Sequence, residues 1–341
     1  MKLMRELSLA PGISGFEKEI AKILKRELKD FSDNIEEDAM GNVIATKKGE
    51  KGAPSIMLAS HMDEIGLMVR YIDKKGFIKF STIGGVNDQM LMNQAITIHT
   101  DKGEVNGVIG SKPPHITKPS EKNKVVKAED MFIDIGAKDK KEALKMVSIG
   151  DSITFKSYFE EYPNDLIMGK ALDNRVGCYV MIEVLKRVNT KATVYGVGTV
   201  QEEVGLKGAK TSSYKLNPDL AIALDVTLSG DHPGIKPDEA PVKMGDGPVI
   251  VLVDASGRGI ITPKVIRDLL TEAGDKNDIK YQLEVSDGGT TDGTAIHLTK
   301  EGIPTGVLSV PTRYIHTPVS VCSFKDIENT INLIVEAINS L

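Results

Sequence analysis

The chain has 341 residues, a length that favours two domains over a single small core. Hydrophobic residues make up 40% of the sequence and charged residues 27%, values typical of a globular protein. The formal charge is −5, no long basic run is visible, and no apolar stretch approaches the roughly 20 residues of a membrane-spanning helix. We therefore expect neither nucleic acid nor a membrane as a partner.

The cellular compartment is predicted from the N-terminus and the cysteines. The N-terminal residues contain no apolar signal-peptide core. The two cysteines, Cys178 and Cys322, are too few for a disulfide framework or a cysteine metal site, and we expect both to be buried. These features predict a cytoplasmic protein.

The first elements predicted along the chain are a helix and two strands. Ser14 and Glu17 have the spacing of a capping box, which predicts the start of an amphipathic helix. Its apolar residues recur at helical intervals, at Ile20, Ile23, Leu24, Leu28 and Phe31. Residues 42–45 and 54–59 follow as strands, and the second run is uninterrupted and apolar, as expected of a strand buried on both faces.

Residues 70–163 have a different character. Short alternating segments lie between turns that contain glycine, and Lys74-Lys75-Gly76 and Asp101-Lys102-Gly103 are predicted hairpin turns. We interpret residues 70–163 as a small β-rich domain inserted into a larger domain, which residues 1–69 and 164–341 form together.

Helices and strands alternate after the insertion. Helices are predicted at 176–188, 263–272 and 327–338, and strands at 193–200, 220–224 and 305–310. This alternation predicts an α/β fold with a mainly parallel sheet flanked by helices.

Polar residues with metal-binding chemistry lie next to these elements. Open α/β sheets bind ligands beyond the carboxyl ends of their strands, so the residues that follow each strand are candidates. They are His61 and Asp63 after strand 54–59, Glu202 and Glu203 after strand 193–200, and Asp225 after strand 220–224. His316 follows strand 305–310 and a short loop at 311–314. Asp173 is a further candidate, just before the helix at 176–188. One acid after a strand is ordinary, but two histidines and several carboxylates at one sheet edge indicate a site for Zn, Co or Mn.

Local geometry predicts different roles for neighbouring residues. Asp63 lies two residues after His61, so on extended backbone both side chains point the same way, and Asp63 can accept a ring N–H of His61 or of another nearby group. Glu202 and Glu203 are adjacent and should diverge. One of them can then bind metal while the other serves as a general base.

Six segments of the sequence resemble the M42 family of metallopeptidases, the tetrahedral aminopeptidases of archaea and bacteria. They occur in the family's order and spacing, and the resemblance extends from the first helix to the last. The segments are 60–66 (SHMDEIG), 171–175 (ALDNR), 200–205 (VQEEVG), 223–227 (ALDVT), 288–292 (GGTTD) and 313–317 (RYIHT).

The resemblance implies an aminopeptidase with a zinc-exopeptidase type of fold and two divalent ions, zinc or cobalt. The implied metal ligands are His61, Asp173, Glu203, Asp225 and His316, with Asp173 bridging the two ions. The inserted domain would be PDZ-like and would serve oligomerisation, giving a homo-oligomer of twelve subunits that acts on peptides.

The resemblance also implies the remaining functional details. Glu202 would act as the catalytic base, and Asp63 would orient its neighbours. The peptide bond that follows Asp173 would be cis. One departure is visible, because Thr290 stands where the family's loop has a third glycine, which bears on side-chain preference rather than on metal binding.

Two other functions compete with this interpretation. A glycoside hydrolase also uses paired carboxylates, but they must flank a sugar at about 5–9.5 Å, and adjacent Glu202 and Glu203 are poorly placed for that. Aromatic residues for sugar stacking are few, at 5% of the chain with no tryptophan. A non-catalytic metal-bound scaffold would keep the ligands without needing Glu202.

Overall fold

The computed structural model describes residues 1–118, 120, 124–156 and 158–341. The helices are α1 Lys2–Leu9, α2 Lys18–Leu28, α3 Lys140–Met146, α4 Leu172–Arg187, α5 Lys207–Leu216, α6 Lys264–Lys276, α7 Asp292–Ile296 and α8 Phe324–Asn339. The strands are β1 Asn34–Glu37, β2 Val43–Lys47, β3 Ser55–His61, β4 Gly66–Ile72, β5 Ile78–Ile83, β6 Ala95–Thr100, β7 Gly103–Gly110, β8 Phe132–Asp134, β9 Ser152–Phe155, β10 Glu160–Tyr162, β11 Leu166–Gly169, β12 Thr193–Thr199, β13 Leu220–Leu228, β14 Val249–Val253, β15 Gln282–Val285, β16 Thr305–Arg313 and β17 Ser320–Ser323.

A large sheet forms the body of the molecule, in the order β1-β2-β12-β3-β13-β16-β17-β11-β10. Its centre is parallel, because β12, β3, β13 and β16 pair in that sense, while the strands that flank these four in this order are added antiparallel. The predicted α/β fold with a mainly parallel sheet is confirmed. All carboxyl ends of the four central strands therefore lie at one edge, where the ligands of such a sheet bind.

Helices cover both faces of this sheet, and β3 shows why. Its residues are apolar without interruption, and successive side chains point to opposite faces. Ile56 and Leu58 pack into one core cluster with α4 and α8, whereas Met57 and Ala59 pack into another with α5 and α7. The prediction that this strand is buried on both faces is confirmed.

A closed barrel, in the order β4-β5-β8-β7-β6-β9, is inserted between β3 and the later strands of the sheet. It has its own apolar core, which includes Leu67, Phe80 and Ile133. Both predicted hairpin turns join paired antiparallel strands. The predicted domain boundary between residues 69 and 70 falls inside β4, and the division into two domains stays a prediction.

Two local predictions are wrong. Ser14 and Glu17 do not form a capping box, since α2 begins at Lys18 and the Ser14 hydroxyl donates instead to the buried Asp63 carboxylate, 2.5 Å away. Residues 311–313 are not a loop but the end of β16, because β13 itself continues to Leu228 and pairs with them. In both cases a partner distant in sequence decides the local structure.

Both cysteines are buried, as predicted. Among the residues that the structure describes, the helices lack the length and apolar character needed to cross a membrane.

Candidate metal centre

The histidines and carboxylates predicted from the sequence converge at the carboxyl edge of the central strands. His61 ends β3, Asp225 lies in β13, Glu202 and Glu203 follow β12, His316 follows β16, and Asp173 lies in the first turn of α4. Two groups have ligand atoms close enough to share an ion, each within 4.8 Å: His61 with Asp173 and Asp225, and His316 with Asp173 and Glu203.

Asp173 connects the two groups. Its Oδ1 lies 3.2 Å from His61 Nε2, and its Oδ2 lies 3.3 Å from His316 Nε2. Asp225 Oδ1 is 3.8 Å from His61 Nε2, and Glu203 Oε1 is 3.7 Å from His316 Nε2. Imidazole nitrogens and carboxylate oxygens arranged as two groups with one shared carboxylate fit a pair of divalent ions of the Zn or Co type.

The backbone around Asp173 is unusual, and the peptide bond between Asp173 and Asn174 is cis, as predicted. The Asn174 side chain is fully buried and ties this turn to the neighbouring ligand strand. Its Nδ2 donates to the carbonyl of Leu224, 2.7 Å away, directly before Asp225. Asp173 and Asp225 are thereby held beside each other.

Asp63 organises the two glutamates. One carboxylate oxygen accepts the backbone N–H of Glu202 at 3.0 Å, and the other accepts that of Glu203 at 3.2 Å and the Ser14 hydroxyl. The ring Nδ1 of His61 lies nearer to the Asp63 carbonyl oxygen, at 3.1 Å, than to its carboxylate, at 3.4 Å. If Nδ1 of His61 donates its N–H to the Asp63 carbonyl, Nε2 of the same ring is left to face the carboxylates of Asp173 and Asp225.

The two glutamates diverge from this shared anchor. Glu202 Oε2 points toward His61 Nε2 at 3.9 Å, while Glu203 points toward His316. The turn that carries them is also held by Glu17, whose carboxylate accepts the backbone N–H of Gln201 at 3.0 Å. Sequence reasoning missed Ser14 and Glu17 as parts of the site, because their spacing has the pattern of a helix cap.

Arg175 is another contributor that sequence reasoning did not assign. Its guanidinium is fully buried and donates to four carbonyls, those of Met62, Leu7, Ala10 and Gly12, at 2.8 to 3.2 Å. The contact with Met62 fixes the backbone between His61 and Asp63. Its only sequence signal is its place in the 171–175 segment.

Asp292 adds negative charge near Glu202 and Asp225. It is 2% exposed, and its Oδ2 accepts the Thr199 hydroxyl at 2.5 Å. Burial raises the pKa of Asp292 to about 6. Its place in the 288–292 segment was the only signal for it, and no role was predicted.

The electrostatics of the site favour a bound cation. Burial raises the pKa of Glu203 to about 7 and the pKa values of Glu202 and Asp225 well above their usual range. Burial alone would also raise the pKa of Asp173, but hydrogen bonds from His316 and His61 hold this pKa below its usual value. The hydrogen bond to Asp173 raises the pKa of His316 to about 9. More carboxylates lie here than the two imidazoles can neutralise, so a bound cation would offset the surplus negative charge.

A family model described as M42 glutamyl aminopeptidase matches residues 41–333. This chain belongs to the M42 family. The M42 enzyme is 42% identical to a TET aminopeptidase of the marine sediment archaeon Thaumarchaeota archaeon SCGC AB-539-E09, whose crystal structure matches with a TM-score of 0.95 over 100% of this chain and 96% of that chain. It is 37% identical to lysyl aminopeptidase of Pyrococcus furiosus, over 97% of this chain and 94% of the relative.

Two further structures bear on assembly and on the competing function. The TET1 peptidase of Pyrococcus horikoshii, which can assemble into a tetrahedron or a large octahedral shell, is 34% identical with a TM-score of 0.90, over 100% of this chain and 99% of that chain. A Thermotoga maritima protein named endoglucanase is 33% identical to this chain. Its structure matches with a TM-score of 0.81 over 99% of this chain and 96% of that chain. The family model and the named peptidase relatives establish this M42 protein as an aminopeptidase, and therefore as an enzyme rather than a scaffold.

Proposed function

We propose that this aminopeptidase removes the N-terminal residue of peptides with two divalent ions, zinc or cobalt. His61, Asp173 and Asp225 would hold one ion, and Asp173, Glu203 and His316 the other. The observation that carries the proposal is Asp173, whose two oxygens face two different histidines. Bound there, the ions would lower the pKa of a shared water and polarise the scissile carbonyl.

Glu202 is the proposed general base. It is buried, it lies beside His61 without belonging to either ligand group, and its backbone N–H is anchored on Asp63. Burial and the nearby Asp225 raise the pKa of its carboxyl, although His61 opposes them. A carboxylate with a raised pKa accepts a proton from water more readily and returns it to the leaving amine.

Selection of chain ends requires a group that recognises the free α-amine. The surplus of buried carboxylates supplies an anchor for a protonated or metal-bound amine. We therefore expect a free peptide to lose single amino acids from its N-terminus, whereas an N-acetylated copy is cut about 5- to 150-fold more slowly or not at all, since a lost hydrogen bond to a buried polar group costs about 1–3 kcal/mol. Mass spectrometry of the products over time measures both rates.

A C-terminally amidated copy is the control for this experiment, because it changes the other end of the peptide and should be cut like the free one. Internal fragments that appear first, or equal consumption of the acetylated copy, would contradict attack at the N-terminus. That result would not contradict the proposed metal site.

We also propose that the enzyme assembles into a large homo-oligomer of twelve subunits, with the inserted segment 70–163, which holds most of the barrel, contributing contacts. The support is the assembly of the Pyrococcus horikoshii relative and the separateness of the barrel core. Closed homo-oligomers repeat the same interface by symmetry. Light scattering of the purified enzyme should therefore give a mass many times 36.9 kDa, and a stable monomer with full activity would refute the assembly.

A further inference from the structure

Two glycines of the barrel reach the metal centre. Gly84 and Gly85 follow β5 directly, and the last residue of β5, Ile83, pairs with Gly66 at the start of β4. Since β4 begins shortly after His61, this pairing returns the chain to the metal centre immediately after the first barrel hairpin.

Both glycines contact the half of the centre formed by Glu203 and His316. The carbonyl oxygen of Gly85 lies 3.1 Å from His316 Nδ1, and a Cβ placed on Gly85 would lie 2.6 Å from Nδ1 and 2.8 Å from Cε1 of that ring. A Cβ on Gly84 would lie 3.1 Å from Glu203 Oε2. The ring of His316 therefore packs directly on backbone that only glycine leaves uncovered.

The two histidines of the centre are supported differently. His61 is 2% exposed, and its Nδ1 faces the carbonyl of Asp63, two residues away in the same segment. The side chain of His316 is 42% exposed, and its Nδ1 faces the carbonyl of Gly85, which is 231 residues away. The orientation of His316 thus depends on another part of the fold.

We propose that Gly85 is a positioning residue for His316, and that the Glu203–His316 half of the metal centre binds its ion tightly only when the barrel presents this bare carbonyl. The inference rests on the proposed metal function. A ring N–H donated from Nδ1 to the Gly85 carbonyl selects the tautomer in which Nε2 is free to bind metal. Loss of such a supporting contact typically lowers metal affinity by about 10- to 100-fold.

The test compares Gly85→Ala with Gly107→Ala. Alanine is free of backbone strain at position 85, because Gly85 is not among the residues with positive φ, so its effect falls on the His316 ring. A Cβ on Gly107 would crowd Ile133 at 2.9 Å inside the same barrel, which gives a matched steric change away from the centre.

Zinc bound per subunit is measured by elemental analysis over a range of free zinc, together with thermal unfolding of the metal-free proteins. We expect two ions in the wild type and in Gly107→Ala. In Gly85→Ala we expect one tight ion and a second weakened by about 10- to 100-fold. Wild-type affinity for both ions in Gly85→Ala overturns the inference alone, whereas a wild type that binds no zinc overturns the proposed metal function.

A second pair of variants separates positioning from general folding. In a His316→Ala background, adding Gly85→Ala should change neither the zinc content nor the affinity for zinc. The imidazole ring with which the new methyl group would clash is absent from this background. A further loss of zinc in the double variant contradicts the inference. If Gly85→Ala alone does not fold, a double variant that folds supports the clash with His316, and one that also fails to fold contradicts it.

Discussion

Asp173→Asn is expected to abolish binding of both ions and, with it, peptidase activity. The side chain keeps its size, but one of its two oxygens becomes an amide nitrogen that cannot bind an ion, and the remaining oxygen loses its negative charge, so the contact with each ion is lost or weakened. Disturbing a group that only supports a ligand already lowers metal affinity by about 10- to 100-fold, so loss of the shared ligand should exceed 100-fold for each ion. Metal content after dialysis and initial rates on a free peptide measure the two effects.

The matched control is Asp238→Asn, which makes the same chemical change at an exposed carboxylate outside the centre. It should keep two ions and wild-type rates. A variant at position 173 that retains both ions at normal affinity would show that the two groups do not share a ligand, and the two-ion proposal would fail.

Glu202→Gln is expected to keep both ions and to lose turnover by roughly 100-fold or more, the usual contribution of a general base. Glutamine preserves the shape of the side chain and the backbone hydrogen bond to Asp63, but it cannot take up a proton at neutral pH. The loss should appear in kcat, because Glu202 belongs to neither ligand group. Steady-state kinetics and metal analysis on the same preparation provide the measurement.

Glu203→Gln is the informative comparison, because it makes the same change in the adjacent residue, which faces His316. This variant should lose the ion of its half of the centre, so its defect is accompanied by a lower metal content. Near-normal turnover of Glu202→Gln, or loss of metal from both variants alike, would show that the two roles are wrongly divided.

Much of the architecture is predictable because it depends on local patterns. Uninterrupted apolar runs such as residues 54–59 belong to strands buried on both faces, and parallel strands end at a common edge. These two rules are enough to place His61, Asp225 and the two glutamates at one edge of the sheet. The M42 resemblance adds two predictions that spacing alone leaves open, namely that Asp173 bridges the two groups and that Glu202 is the base.

The fold class, the family resemblance and the chemical types gathered at the sheet edge thus follow from the amino-acid sequence. The contacts that hold these side chains in place follow from the folded structure instead. Ser14 has the pattern of a helix cap but donates to Asp63, and the Gly85 carbonyl faces His316 from the barrel. Such contacts join residues far apart in sequence, and their geometry depends on sheet register and barrel docking. Periodicity and spacing report only on neighbours along the chain, so they contain no signal for these partners.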